Sequence, residues 1–572
     1  MYYFLFLILF ILLSFLYALY VSHKKSKATE KKIASAFGQR PSASSSSLTF
    51  LQKTWQEKLR SSQEEKVDTV TWNDLGMDDI FLSINSCLST PGEELLYANL
   101  RKNTPLSEEQ VDHLEAFQLY FTDHPDMRLR VQSHLYQLGK STDTNLNDLF
   151  DHPDLFTPYF PALTSILSFA PLLALPLIFF SPKIALFYFI VSALLNLFIF
   201  SLFYKHLQGK LHITKYLGSF LFASKRILRF LPLDLLPQGK EAKKHFSAVK
   251  KVASRFSALN QEVMQDQVLG IMSAFIRYMF LRPAVSYNKS VRVLLQNPQA
   301  VAFLYQYIGQ LDIAISLASF RKSLPYYCSP TYTEEITLSG EKLYHPLLPG
   351  GVANDLDFHS NVILTGSNAS GKSTFIKAIA VNALLAHSLN TCCAKEFSLP
   401  GIPVYTSMAI SDSLLHAESY FVAEIKSIKR IIDKLKETPC LCFIDEILRG
   451  TNTVERIAAS SAVLSALQTY PSFCIVATHD IELTTIFQDS YHFYHFRETI
   501  QEEEIHFDYT LYPGPSTSKN AINLLALFGF DPQIIHQAKY LANYFEENQQ
   551  WLSFDPLAEK SFLANSSSKE RS

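Results

Sequence analysis

The sequence carries no excess of charge. Its 51 Lys and Arg stand against 53 Asp and Glu, a formal net charge of −2. Whole-chain charge therefore does not point to nucleic acid. The chain also lacks any pairing of CxxC motifs that would mark a zinc site. Its seven cysteines are Cys87, Cys328, Cys392, Cys393, Cys440, Cys442 and Cys474. Cys440, Cys442 and Cys474 lie in apolar runs that read as core strands. Reduced, buried thiols are expected, not metal ligands or disulfides. Residues 1–22 contain no charged residue. They also lack the basic start, the short apolar core and the small-residue cleavage site of a secretory signal. An uncleaved transmembrane anchor is expected there. Lys24, Lys25, Lys27, Lys31 and Lys32 follow at once, so the positive-inside rule puts the rest of the chain in the cytoplasm.

What the chain does have is length and apolar blocks. At 572 residues it can hold several domains. A second apolar block runs from Tyr159 to Tyr204, and Ser181-Pro182-Lys183 divides it. Each piece is of about spanning length, so a transmembrane helical hairpin over 158–204 is expected, with a buried helical pair as the rival. Pro161, Pro171 and Pro176 would kink its first arm. With the anchor, this makes a multi-pass protein of three membrane helices. Gly270–Leu281 is apolar but short and carries Arg277, so it reads as core.

Between these blocks the pattern is helical. A basic and Ser-rich linker covers 23–65. Capped amphipathic helices are expected in 66–157, as in Pro91–Arg101 and Leu106–Leu114. Helical spacing resumes over 205–330. That stretch holds a basic cluster, from Lys225, Arg226 and Arg229 through Lys240, Lys243, Lys244, His245, Lys250, Lys251 and Arg255. Such a cluster suits anionic lipid headgroups or nucleic-acid phosphates, and the sequence leaves both open. From Thr331 short β-like runs alternate with helices, so an α/β domain is expected over 331–547, then a loose tail over 548–572.

The α/β stretch is organised around Val362–Lys377. A short apolar strand is followed by Gly366-Ser367-Asn368-Ala369-Ser370-Gly371-Lys372-Ser373-Thr374 and then a helical pattern. This fits the phosphate-loop pattern GxxxxGK[ST] in its required context of strand, loop and helix. Gly366 and Gly371 allow the backbone to approach a ligand closely. The loop amides and the helix start suit a di- or triphosphate. Lys372 would reach the β/γ-phosphates of ATP, and Ser373 would bind Mg²⁺. Downstream, the run Cys440–Ile444 ends in Asp445 and Glu446. Asp445 would hold Mg²⁺, and Glu446 would act as general base on the attacking water. A third apolar run, Phe473–Ala477, stops at Thr478-His479, where His479 could sense the γ-phosphate.

These parts, in this order, are those of an ABC-type ATPase, and their wording resembles the MutS family of DNA mismatch-repair ATPases. Asp445–Thr451 (DEILRGT) is similar to that family's DEIGRGT, and Ala477–Thr484 to its ATH-x-x-ELT. His345-Pro346, Asn354-Asp355 and Ser518–Leu525 resemble further family stretches. Asp412–Glu424 resembles D-x-L-x-x-G-x-S-T-F-x-x-E, with Ala417 in place of Gly. The resemblance implies that Ser419 reaches the nucleotide of a second protomer, and hence a homodimer with ATP at its interface. Ile84–Arg101 and Leu311–Ala318 look like parts of the family's helical core. The fold implied is an α/β P-loop ATPase domain preceded by an all-α core domain with transmembrane helices.

The resemblance stops at the DNA-reading devices. No domain with the family's Phe-x-Glu mismatch reader is found, and the hairpin lies where the family places its lever and clamp helices. Two functions stay open. One is a membrane-anchored ATPase that binds mismatched or structured DNA. The other is an ATP-driven switch acting on membrane or protein partners without DNA.

Overall fold

The computed structural model describes residues 23–41, 65–141, 157–253, 275–348, 350–367, 370–408, 420–449, 451–501, 504–516 and 521–552, with a few isolated positions before residue 65. The expected anchor over 1–22 lies outside them except for Tyr17, Tyr20 and Val21, which are exposed.

The N-terminal half is helical. Residues 23–36, within the stretch expected as linker, are already helical. There follow α1 (Thr69–Asp74), α2 (Met77–Ile84), α3 (Thr90–Leu100), α4 (Glu108–Asp123) and α5 (Pro125–Leu138). The ends are set by local chemistry. Ser107 and Gln110 form a reciprocal capping box at the start of α4. Ser89 caps α3, with Pro91 in its first turn. The apolar block gives α6 (Pro161–Leu167), a 3₁₀ turn (Ala170–Leu173), α7 (Ala174–Leu177) and α8 (Pro182–Phe230), a single helix of 49 residues. Then come α9 (Gly239–Ala253), α10 (Arg282–Gln296) and α11 (Pro298–Ser323).

Helix α11 is the spine of this half. It packs on α3 and α4, and its face from Leu311 to Arg321 is buried throughout. Asp312, buried, accepts hydrogen bonds from Leu88 N (3.1 Å), Ser89 N (2.9 Å) and Ser89 Oγ (2.5 Å). It thus satisfies backbone donors just before α3, where helix starts leave N–H groups unpaired. Gly92 is required beside it, because a Cβ there would meet Asp312 Oδ2 at 2.4 Å.

Three expectations about the apolar segments are corrected. Among the described residues two helices are long and apolar enough to cross a membrane, Pro182–Lys205 and Pro298–Ser323. The second is α11, 78% buried inside the protein in its most apolar stretch, so it is a core helix. The reading of three spanning helices is therefore unsupported. The first arm of the hairpin is also no continuous helix. Pro171 and Pro176 lack the N–H that an α-helix needs, and the arm breaks into α6, the 3₁₀ turn and α7. Residues 275–281 are only partly core: Met279 and Leu281 are buried, but Phe275, Ile276 and Tyr278 are exposed.

From Thr331 the chain builds sheets. A four-stranded sheet has the order β1 (Thr331–Thr333), β5 (Glu396–Pro400), β2 (Leu338–Leu343), β3 (Asn354–Phe358). The main six-stranded sheet has the order β12 (Tyr512–Pro513), β9 (His492–His495), β4 (Val362–Thr365), β8 (Phe473–Ala477), β7 (Leu441–Asp445), β6 (Val404–Ser407). All its pairs are parallel except β12 with β9. Strands β4, β7 and β8 are buried at every residue, as expected for parallel strands covered on both faces. The helices here are α12 (Lys372–Leu389), α13 (Tyr420–Leu435), α14 (Thr453–Gln468), α15 (Glu482–Ile486), α16 (Ala521–Leu527) and α17 (Pro532–Asn548). A hairpin of β10 (Glu498–Gln501) and β11 (Glu504–Phe507) stands beside the sheet. The seven cysteines are free thiols, all buried but the half-buried Cys328.

Arg321, near the end of α11, joins the two halves. It donates to both carboxylate oxygens of Glu115 (2.6 and 2.7 Å), to Asn390 O (3.0 Å) and to Thr391 Oγ1. Asn390 is the left-handed cap at the end of α12, so the helix that starts at the phosphate loop is tied at its far end to the helical half.

Candidate nucleotide site

The site lies at the carboxyl ends of β4, β7 and β8, where open parallel sheets bind their ligands. The loop after β4 leads into α12, whose N-cap is Gly371 with φ +104°. Gly366 has φ +136°, and a Cβ on it would meet Phe496 O at 2.7 Å. Neither position accepts a larger residue without strain. Asn368 and Ala369 lie outside the described residues. Around them, Ser370 Oγ donates to Ser367 O at 2.8 Å.

Lys372 folds back over this loop. Its Nζ donates to Gly366 O and Ser367 O, both at 2.7 Å. Burial pulls its ammonium down to about 8, against the attraction of Asp445, Glu446 and Glu498. Ser373 and Thr374 start α12 with exposed side chains. Ser373 hydrogen-bonds Asp445, and burial pushes that carboxyl above its usual range despite the bond. Asp445 Oδ1 is buried with no hydrogen-bond partner among the described residues. A buried carboxylate oxygen left open beside a hydroxyl is the donor set a hard divalent cation takes. Together with a glycine-lined loop and a buried lysine, these residues fit a Mg²⁺–nucleotide.

Glu446 follows directly, in the left-handed region at φ +54°, and Leu448 shares it at φ +55°. Strain of this kind in a non-glycine residue gathers at functional sites. The turn is held by Glu446 N donating to Ala477 O at 3.0 Å, and by Glu424, which accepts from Arg449 N at 3.3 Å. Both oxygens of Glu446 are occupied. His479 Nε2 lies 3.0 Å from Oε1, and the Arg449 guanidinium pairs with Oε2. These partners, His479 foremost, hold the carboxyl down at about 2. His479 is in turn fixed by its neighbour: Asp480 takes a bidentate bond from Arg456 of α14, at 2.6 to 3.1 Å.

The described site residues expected from sequence, Gly366, Ser367, Ser370, Gly371, Lys372, Ser373, Thr374, Asp445, Glu446 and His479, therefore converge at one sheet edge. Ser419 lies outside the described residues. Several contributors were not singled out. Glu498 of β10 accepts from Ser367 Oγ at 2.6 Å, and no sequence signal marks it. Asn354 donates to Tyr509 O (3.0 Å) and accepts from Leu511 N (2.8 Å). It thereby holds the Tyr509 ring over Gly371. Its place in the Asn354-Asp355 pair was the available clue. Asp480 stood beside His479 in the same motif.

Comparison with known families agrees with this geometry. Residues 362–546 match MutS domain V. The match starts at β4 and takes in every residue of the site just described except Asn354. Over 240 residues, 41% of this chain, the sequence is 28% identical to the DNA mismatch repair protein MutS of Thermus aquaticus. It is also 28% identical over 239 residues to a DNA mismatch repair protein MutS of Thermus thermophilus. Each alignment covers 29% of the relative, so the chain spans under a third of the length of the curated relatives it matches. MutS domain V is an ATPase-type α/β domain, and the sheet and phosphate loop here have that form.

Proposed function

We propose that this chain is a membrane-attached MutS-type ATPase that hydrolyses ATP with Mg²⁺ at an interface between two copies. The observation that carries the reading is the juxtaposition of Lys372, Ser373 and the open Asp445 oxygen with Glu446 and His479 at one sheet edge. Lys372 would leave its own loop carbonyls for the β/γ-phosphates, and Ser373 and Asp445 would hold the metal. The bound Mg²⁺ would supply neutralisation of phosphate charge. Glu446 would orient the attacking water and take its proton, with His479 fixing the carboxylate. Ser419 of a second copy would close the site in trans.

The relatives named above are mismatch-repair proteins. DNA is accordingly one candidate partner, and the exposed Lys240, Lys243, Lys244 and Lys250 of α9 would face its phosphates. The second reading, closure acting on the membrane without DNA, is favoured by the bare apolar surface of residues 160–204.

The test of the ATPase reading is a mixing experiment. Lys372→Ala protein should be inactive and Ser419→Ala protein weakly active, and their mixture should recover turnover. Recovery in no mixture would remove completion in trans. A salt titration of DNA binding by the detergent-solubilised protein separates the partner readings. A steep fall of affinity with salt supports phosphate contacts, and no binding at low salt removes DNA.

A further inference from the structure

Resting on the membrane reading above, we infer that the bilayer-seated unit is built of three discontinuous pieces, residues 161–177, 182–205 and 275–280, stapled together inside the lipid by Asn196. The argument begins with two carbonyls. In an α-helix the carbonyl of residue i accepts from the N–H of residue i+4. For Leu167 that residue is Pro171, and for Met279 it is Pro283. Proline has no N–H, so both carbonyls lose their helical donor. In water such a group would be solvated. In hydrocarbon it needs another donor, and broken helices persist there only where one is supplied.

Asn196 supplies both. Its Nδ2 donates to Leu167 O and to Met279 O, each at 2.8 Å, and its side chain is fully buried. An amide nitrogen has two hydrogens, one for each orphan. Nearby, Phe200 stacks on Tyr278 with ring centroids 4.5 Å apart. At the mouth of the unit, Asn288 of α10 holds Tyr159 N (2.7 Å), Tyr159 O (3.0 Å) and Thr164 Oγ1 (2.9 Å).

The occupant of the surrounding surface is a phospholipid bilayer. No charge lies between Lys183 and Lys205, and at 1.5 Å per residue the 24 residues of Pro182–Lys205 measure roughly 36 Å, enough to cross a hydrocarbon core of about 30 Å. The bare residues Ile184, Leu186, Phe187, Val191, Leu194 and Phe198 form a broad outward stripe on this helix, opposite the buried Ala185, Ser192, Ala193 and Asn196. The bare surface continues on Leu163, Ile166 and Phe169 of the first piece and on Phe275 and Ile276 of the third. A protein partner would have to cover the outward faces of all three pieces, whereas lipid does so by default. The two lysines bracket the run at the headgroup levels. At the tip, Phe179 and Phe180 are 92% and 88% exposed. Asn196 sits nine residues from Lys205, about 13 Å into the layer, which puts Phe275, Ile276 and Tyr278 among acyl chains, with Arg277 between them half-buried in the protein.

The test uses the full chain in phosphatidylcholine vesicles with acyl chains brominated near their ends. Phe198→Trp and Phe275→Trp are compared, as difference emission, with the unsubstituted chain. Both introduced tryptophans should be quenched. Quenching at 198 but not at 275 overturns the three-piece unit while leaving membrane attachment intact. Quenching at neither overturns both. The staple is read in the Phe275→Trp background. Asn196→Leu, which keeps the position apolar, should lose the quenching at 275 and keep it at 198, and Asn196→Gln, which keeps both hydrogens, should restore it. Unchanged quenching at 275 in Asn196→Leu overturns the role of Asn196.

Discussion

His479 Nε2 lies 3.0 Å from Glu446 Oε1, joining the ends of two neighbouring strands that are 33 residues apart in the chain. An ionised carboxylate can only accept, so Nε2 carries a proton and donates it to Glu446. The pair sets both where Glu446 points and how readily it gains a proton.

Glu446→Gln keeps the shape and one accepting oxygen but cannot take a proton. It should bind ATP with near wild-type affinity and lose about 10²- to 10⁴-fold in turnover. Comparing nucleotide affinity with single-turnover hydrolysis checks this. Wild-type turnover in the variant would exclude Glu446 as the base.

Removing His479 should expose the titration of Glu446. The carboxyl is held at about 2, against 4.5 for an ordinary glutamate. A depressed folded value gives stabilisation present above pH 4.5 and lost as pH falls through 2. In His479→Ala the foremost of those partners is gone and the value rises toward 4.5. Hydrolysis by the variant should then decline on the acid side, near pH 5, where the wild type holds its rate. A pH profile of kcat for both proteins decides it.

Lys372 offers a test that needs no turnover. Burial holds its ammonium at about 8, so near pH 8 about half the unliganded protein lacks that proton. A triphosphate favours the charged form and should draw a proton in on binding. Calorimetry of ATP binding in buffers of different ionisation enthalpy should show proton uptake near pH 8 and much less near pH 6.5. Lys372→Ala should bind no nucleotide and show neither.

Arg456→Ala leaves the buried Asp480 carboxylate without its bidentate partner. The loop carrying His479 should loosen, lowering kcat with little change in KM, and Arg456→Lys should recover part of the loss. Steady-state kinetics of the three proteins is the measurement.

In the helical half, Asp312→Ala strands Leu88 N and Ser89 N, at a cost of roughly 1–3 kcal/mol for each orphaned donor. Burial raises the Asp312 carboxyl from 3.8 to about 6. A raised folded value gives stabilisation complete below pH 3.8 and lost as pH rises through 6. Denaturant midpoints between pH 4 and 7 should fall with pH in the wild type, and that slope should be absent in Asp312→Ala.

What the sequence made legible was local. Apolar runs ending in polar residues gave β4, β7 and β8, and the glycines and lysine of the loop gave the site its centre. Ser107 and Gln110 announced a helix start three residues apart. What stayed hidden depends on partners far away in the chain. Glu498 meets Ser367 across 131 positions. The positive φ of Glu446 comes from being clamped between Ala477 and the Glu424–Arg449 contact, and no residue type signals it. The first arm was expected to kink at its prolines, but hydrophobicity gave only its length and not the full break into two helices and a 3₁₀ turn.

Helix α8 runs unbroken for 49 residues, packed in the helical core at one end and bare at the other. A rod of this kind cannot be moved at one end alone. If its core half tilted by about 10°, the tip some 36 Å beyond Lys205 would sweep sideways by roughly 6 Å. Small rearrangements among the helices would then reach the bare tip enlarged, with no joint along the way to absorb them.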